Sequence, residues 1–186
     1  MIYVFFAHGF EEIEAVTVID VLRRAELEVA AVGVGSKTIT GAHGLTVHCD
    51  ISDRQVDIRK LEMVVLPGGL PGTLNLEKSQ VVSAVLDHAA ANDAWIAAIC
   101  AAPSILGHKG LLDGKKATCA PGWEEQLGEA NHTAASVEQD GKIITANGAG
   151  SAMAFALKLV EVLISKERAD MLGSAMGIER NEHKQL

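Results

Sequence analysis

The sequence predicts an α/β protein whose mostly parallel sheet is covered on both faces, and three observations lead there. Short runs of four or five residues alternate with longer segments whose apolar side chains recur every three or four positions, the signature of strand–helix units. The short runs Ile2–Phe6 and Met63–Leu66 are apolar or aromatic throughout, as strands buried on both faces are. Chemically useful residues stand just after several of these runs, where open α/β sheets bind ligands.

The elements follow in order. Ile2–Phe6 reads as a strand. Glu11–Ala25 reads as a helix, because Ile13, Val16, Ile19 and Leu22 are spaced three apart. Glu28–Val34 is a second strand ending at Gly35, and 36–50 holds small β pieces around Gly41 and Gly44, Thr46–Cys49 the best of them. Met63–Leu66 is a short strand stopped by Pro67-Gly68-Gly69. Ser79 caps a helix running to about Ala91, with Val82, Val85, Leu86 and Ala89 on its apolar face. Trp95–Ile99 is the next strand, and the helix after it is expected to begin at Cys100 or Ala101. Lys116–Cys119 reads as a strand ended by Ala120-Pro121-Gly122. Ala135–Val137 and Lys142–Thr145 flank an Asp140-Gly141 step, a hairpin signal. Ser151–Ile164 and Lys166–Met176 are the last helices, the second stopped by Gly177. No repeat, linker or break in composition divides the chain. One domain over residues 1–177 with a polar tail, 178–186, is therefore expected.

Composition narrows the function. The chain has 186 residues, 48% of them hydrophobic and 22% charged, which excludes a disordered or fibrous protein. A net charge of −8 argues against a broad phosphate-binding surface, so no nucleic-acid partner is expected. The first residues lack a basic region and a long apolar core, and no stretch reaches the ~18 apolar residues of a membrane span. A cytoplasmic protein without membrane contact is expected. Three cysteines, Cys49, Cys100 and Cys119, form no C-x-x-C pair and read as reduced thiols.

Four segments after strand ends are candidates for chemistry: 8–14, 67–72, 100–103 and 147–151. Cys100 joins Trp95–Ile99 to Ala101-Ala102-Pro103. A helix starting there would bring N–H groups and a positive dipole end to the sulfur and favour thiolate. The small alanines permit a tight turn like a nucleophile elbow. A buried core cysteine is the plainer alternative. Glu14 sits in a first helical turn beside Glu11 and Glu12, where acidic groups complement the dipole. Alternatively, it points over the sheet edge as a general acid/base. Pro67–Gly72 lacks the Lys-Ser/Thr of a nucleotide loop, but its N–H groups can hold an oxyanion. Gly148-Ala149-Gly150 lacks the context of a dinucleotide fingerprint, and close helix packing is the expected reason for its glycines. His43, His48 and Cys49 are near in sequence but lack a matching pair, so no metal or other cofactor is expected.

Taken together, Gly9-Phe10-Glu11-Glu12-Ile13-Glu14-Ala15-Val16, Val64-Val65-Leu66-Pro67-Gly68-Gly69 and Ala97-Ala98-Ile99-Cys100-Ala101-Ala102-Pro103 resemble the ThiJ/PfpI superfamily, in its YajL-like and Parkinson-associated deglycase branch. Asn147-Gly148-Ala149-Gly150-Ser151-Ala152 is a looser fourth match. These pieces occur in family order from about Ile2 to Gly177. The resemblance implies a flavodoxin-like three-layer α/β sandwich, usually a homodimer. It also implies a reactive Cys100 hydrogen-bonded to a protonated Glu14, with the N–H groups of Gly69 and Ala101 as oxyanion donors.

The chain departs from the family pattern in two places. Other branches place His directly after the nucleophile, where Ala101 stands. Some members carry a pocket His before the proline that is Pro121 here, where this chain has Ala120. A Cys-His-acid triad thus lacks its base and peptide hydrolysis is not expected. Gly68, Ala120 and His8, which follows the first strand, are pocket candidates. The expected activity is a cysteine-dependent glyoxalase or deglycase acting on methylglyoxal-like aldehydes or their adducts. A redox-sensing stress protein or chaperone, acting through oxidation of Cys100, is the alternative.

Overall fold

Alternation along the first strand, β1 (Ile2–Phe6), shows how the protein is layered. Ile2, Val4 and Phe6 enter one hydrophobic cluster, while Tyr3 and Phe5 enter another on the opposite face of the sheet. A strand with two buried faces needs an all-apolar sequence, which is what the run supplies. In the computed structural model, which describes residues 1–178, the elements then follow in chain order. They are α1 (Glu12–Arg24), β2 (Val29–Gly33), β3 (Thr38–Thr40), β4 (Thr46–His48), β5 (Ile51–Ser52), β6 (Met63–Leu66), α2 (Gly72–Glu77), α3 (Gln80–Ala91), β7 (Trp95–Ile99) and α4 (Pro103–His108). After them come β8 (Lys116–Ala117), β9 (Asn131–His132), β10 (Val137–Asp140), β11 (Ile143–Ala146), α5 (Ala152–Leu163) and α6 (Lys166–Ala175).

Seven strands form the central sheet in the order β10-β11-β7-β6-β1-β2-β5. Every pairing in it is parallel except β10 with β11. α1, α5 and α6 cover one face and α2, α3 and α4 the other, giving the expected three-layer sandwich. Phe5, Phe10 and Phe155 are fully buried, each worth roughly 1.5–3 kcal/mol of transfer free energy. The helix ends carry the chemistry expected of them. Ser79 accepts from the Val82 N–H at 3.3 Å at the start of α3, and Ser165 accepts from the Arg168 N–H at 3.1 Å before α6. None of the described helices is long and apolar enough to cross a membrane.

Several boundaries differ from the sequence reading. The helix expected at Cys100 starts at Pro103, because Cys100 is in the left-handed region at φ +67° and cannot open a right-handed helix. The strand expected over Lys116–Cys119 stops at Ala117, since the Thr118 N–H turns to the Thr145 hydroxyl instead of a neighbouring strand. Glu138–Asp140 lie within the hairpin rather than in its loop; Asp140 pairs with Ile143, so only Gly141 and Lys142 make the turn. β5, α2 and β9 were not expected. β5 and β9 have two residues each, too few for any periodicity, and α2 begins on Gly72 inside a Pro-Gly run. The glycines at 148 and 150 do not pack closely, because a Cβ on either would meet nothing within 4 Å. The expected polar tail lies outside the described residues from 179 onward.

Candidate active site

Parallel pairing brings the ends of β1, β6, β7 and β11 to one edge of the sheet, and Cys100 stands there directly after β7. Its backbone is pinned on both sides. The Cys100 N–H donates to the Ala146 carbonyl at 2.8 Å, and its carbonyl accepts the Ala120 N–H at 2.8 Å. Holding a non-glycine residue left-handed costs about 1–2 kcal/mol, and these two bonds are what impose it. The side chain is half-buried, whereas Cys49 and Cys119 are fully buried; all three thiols are free.

Glu14 faces Cys100 from the first turn of α1 and is fully buried. Its Oε2 accepts the Gly68 N–H at 2.8 Å. Gly68 is where the two side chains meet: a Cβ there would lie 2.6 Å from Cys100 Cβ and 2.7 Å from Glu14 Oε2. Only a residue without a Cβ fits. Gly69, at φ +91°, continues the turn so closely against Gly9 and Phe10 that it too excludes a side chain. The Glu11 N–H donates to the Gly68 carbonyl at 2.9 Å and the Thr73 N–H to the Gly69 carbonyl at 2.9 Å, stitching the loop to α1 and α2.

The electrostatics correct one expectation. Burial pushes the Glu14 carboxyl up from 4.5 to about 7, with Glu11 repulsion adding to it, against the Gly68 N–H and the Cys100 hydrogen bond. Burial and then the Glu14 charge push the Cys100 thiol up to about 12, while the Ala101 and Gly69 N–H groups pull it down. A helix dipole does not make a free thiolate here, because the helix starts three residues later and a carboxylate faces the sulfur. The two acids instead compete for one proton, and Glu14 is the group that titrates near neutrality. Burial also raises Cys49 and Cys119, each to about 11.

The structure therefore brings together Cys100, Glu14, Gly68, Gly69, Ala101 and Ala120. It does not bring His8 with them: that ring is exposed, its Nδ1 accepts the Thr40 N–H at 3.2 Å, and its carbonyl is held by Asn75. Sequence reasoning missed the anchoring carbonyl of Ala146, which nothing but the β7–β11 register reveals. It also missed the role of Glu12. That buried carboxylate accepts the N–H of His43 at 2.8 Å and of Leu45 at 3.4 Å, and its Oε2 lies 2.9 Å from His43 Nδ1. Glu11, Glu12 and His43 offer ligand atoms within 4.8 Å of one another, yet those of Glu12 and His43 are already engaged in tying the loop to α1. His48 and Cys49 do not join this group. A 440 Å³ cavity between β10, α5 and α6 contains Lys158, Glu161 and Asp170 and no residue of the Cys100 site.

A left-handed cysteine at a strand-to-helix elbow, facing a buried acid over a parallel sheet, defines a class of α/β proteins built around an elbow thiol. The family model described as DJ-1/PfpI family matches residues 1–162, and the chain belongs to that family. It is 39% identical over 166 residues to Protein DJ-1 homolog B of Arabidopsis thaliana, covering 88% of this chain and 38% of that protein. The chain spans 38% and 46% of the lengths of the two Arabidopsis relatives, homologs B and A. It is 30% identical over 164 residues to the Caenorhabditis elegans protein named Glutathione-independent glyoxalase DJR-1.2, covering 87% of each. The structure titled Toxoplasma gondii DJ-1, oxidized, superposes with a TM-score of 0.90 at 36% identity, covering 94% of this chain and 96% of that one.

Proposed function

We propose that this protein is a cysteine-dependent enzyme that converts small α-oxoaldehydes such as methylglyoxal, or their early adducts with thiols and amines, to hydroxy acids. One observation carries the reading: a buried carboxyl raised to about 7 meets the elbow cysteine at Gly68, where a Cβ would lie 2.6 Å from Cys100 Cβ and 2.7 Å from Glu14 Oε2. A general base works best with a pKa near the operating pH. The similarity to a relative named as a glyoxalase supports the same chemistry.

The steps balance without a cofactor. Glu14 carboxylate takes the Cys100 proton as sulfur adds to the aldehyde carbon, and the N–H groups of Gly69 and Ala101 hold the alkoxide. The protonated Glu14 returns its proton to that oxygen, giving a hemithioacetal. Glu14 then removes the C1 hydrogen as a proton and delivers it to C2 while the C1 hydroxyl proton passes to the C2 oxygen, so C1 is oxidised and C2 reduced within one molecule. The product is a lactoyl thioester, which water cleaves to lactate and the free thiol. Attack on an aldehyde expels no leaving group, so no triad histidine is required. Lactate from methylglyoxal that disappears in Cys100→Ser and falls at least a hundredfold in Glu14→Gln is the expected result. Full turnover in Glu14→Gln would sink the assignment.

A redox-sensing role of Cys100 is the second reading, favoured by its being half-buried while the other thiols are buried. Mass spectrometry after mild peroxide should then find Cys100 oxidised before Cys49 and Cys119. The reverse order excludes it.

A further inference from the structure

His108, eight residues after the thiol and in none of the motifs above, is placed where three elements that lead away from the Cys100 site converge. It is the last residue of α4, the helix that follows Cys100 and Ala101. Its Nδ1 lies 2.5 Å from Glu77 Oε1, at the end of α2, the helix that follows Gly68 and Gly69. Its Nε2 lies 2.9 Å from Gln126 Oε1, in the short 3-10 helix Glu124–Leu127 a few residues after Ala120. Nδ1 thus faces a carboxylate oxygen and Nε2 an amide oxygen, an arrangement in which a ring protonated on both nitrogens donates to both neighbours.

We infer that His108 is a positioning residue: as an imidazolium clasped between Glu77 and Gln126, it ties together the three segments that follow Ala101, Gly69 and Ala120 and so holds the backbone around Cys100. The inference rests on Cys100 being the reacting group. α4 already lies against the 3-10 turn at Gly107, where a Cβ would come within 2.6 Å of the Leu127 backbone. The turn in turn holds Ala120 through the Trp123 N–H at 3.1 Å, and Ala120 donates to Cys100. On the α2 side, the Thr73 N–H holds the Gly69 carbonyl. The charged group facing the ring is Glu77, and Gln126 is neutral. The adjacent Lys109 turns away to Ser83 and Asp87 of α3. Both neighbours raise the affinity of the ring for its second proton. Loss of that proton leaves one nitrogen without a hydrogen to donate and opens one side of the clasp.

The test needs no aldehyde. Opening the clasp withdraws the Gly69 N–H from the sulfur, which lowers the thiolate fraction. Cys100 alkylation by iodoacetamide should therefore be about threefold slower in His108→Gln than in the wild type at pH 6.5, and the ratio should approach one at pH 9. A ratio constant with pH, or no difference, overturns the inference, since a merely structural defect would not follow the titration of the ring. Nitrogen NMR of the wild-type protein gives a second, variant-free answer. Both His108 nitrogens protonated at pH 6.5, with a midpoint that drops in Glu77→Gln while the Glu14 inflection stays, is the expected result. A neutral ring at pH 6.5 overturns it. Failure to make lactate would remove the glyoxalase reading and leave this measurement intact.

Discussion

At the scale of single residues, the protein places an acid where an acid is costly. The Glu14 carboxyl is held near 7 in the fold against 4.5 ordinarily. A raised folded pKa means its contribution to stability is complete below the unfolded value and is lost as pH rises through the folded one. The shift corresponds to about 3 kcal/mol between pH 4.5 and 8. Chemical denaturation across that range should show Glu14→Gln with a pH dependence flatter than the wild type by about this amount. Equal dependence in the two proteins would mean that Glu14 ionises normally. The neighbouring cysteine is strained as well as buried. Relief of a left-handed residue gains about 1–2 kcal/mol and the entropy of glycine costs roughly 0.5–1. Cys100→Gly should accordingly be about 1 kcal/mol more stable than Cys100→Ala by thermal melting, at the expense of all thiol chemistry. The site keeps a conformation that costs stability and a residue that needs it for function.

At the scale of elements, the decisive contacts join segments far apart in sequence. Glu12 reaches from the start of α1 to the loop between β3 and β4 and satisfies two of its N–H groups. Glu12→Ala should cost about 1–3 kcal/mol, the usual penalty for stranding such donors, and hydrogen exchange should localise the loss to residues 41–45. Uniform loosening of the whole chain would contradict this role. The sequence showed Glu12 only as one of three acids in a first turn, a pattern the helix dipole explains by itself. Its true partners are 31 and 33 positions away. The same limit accounts for His8, whose place after β1 suggested the pocket. Its ring goes instead to Thr40, because the β3–β4 ribbon packs beside it. Cys100 was legible because apolar strand, small residues and proline follow one another locally. α4 starts two or three residues past the expected Cys100 or Ala101, because no local pattern signals a left-handed cysteine.

At the scale of the whole molecule, one apolar surface stands out. Ile13, Val16 and Leu45 are 56%, 46% and 62% exposed, and the Glu12–Leu45 hydrogen bond brings the loop to the same helix. We propose that this face makes a homodimer, as the family resemblance implies. Sedimentation should find a dimer for the wild type and a monomer for Ile13→Asp/Val16→Asp, with the monomer still folded. A monomeric wild type would dismiss the proposal. The acidic net charge of −8 keeps the rest of the surface self-repelling.

By itself the sequence determined that the sheet is mostly parallel and covered on both faces. Runs apolar at every position can only be strands with two covered faces, and helical repeats between them force parallel crossovers. It also placed all three cysteines at expected strand ends, and only the small alanines and the proline that follow set Cys100 apart. Tertiary structure alone decided what that cysteine meets. The Ala146 carbonyl, the Ala120 N–H, the Glu14 carboxyl and the missing Cβ of Gly68 come from four separate segments. Parallel register aligns their ends at one edge of the sheet. Proton affinity depends on burial and distance in space, and neither is written in the spacing of residues along a chain.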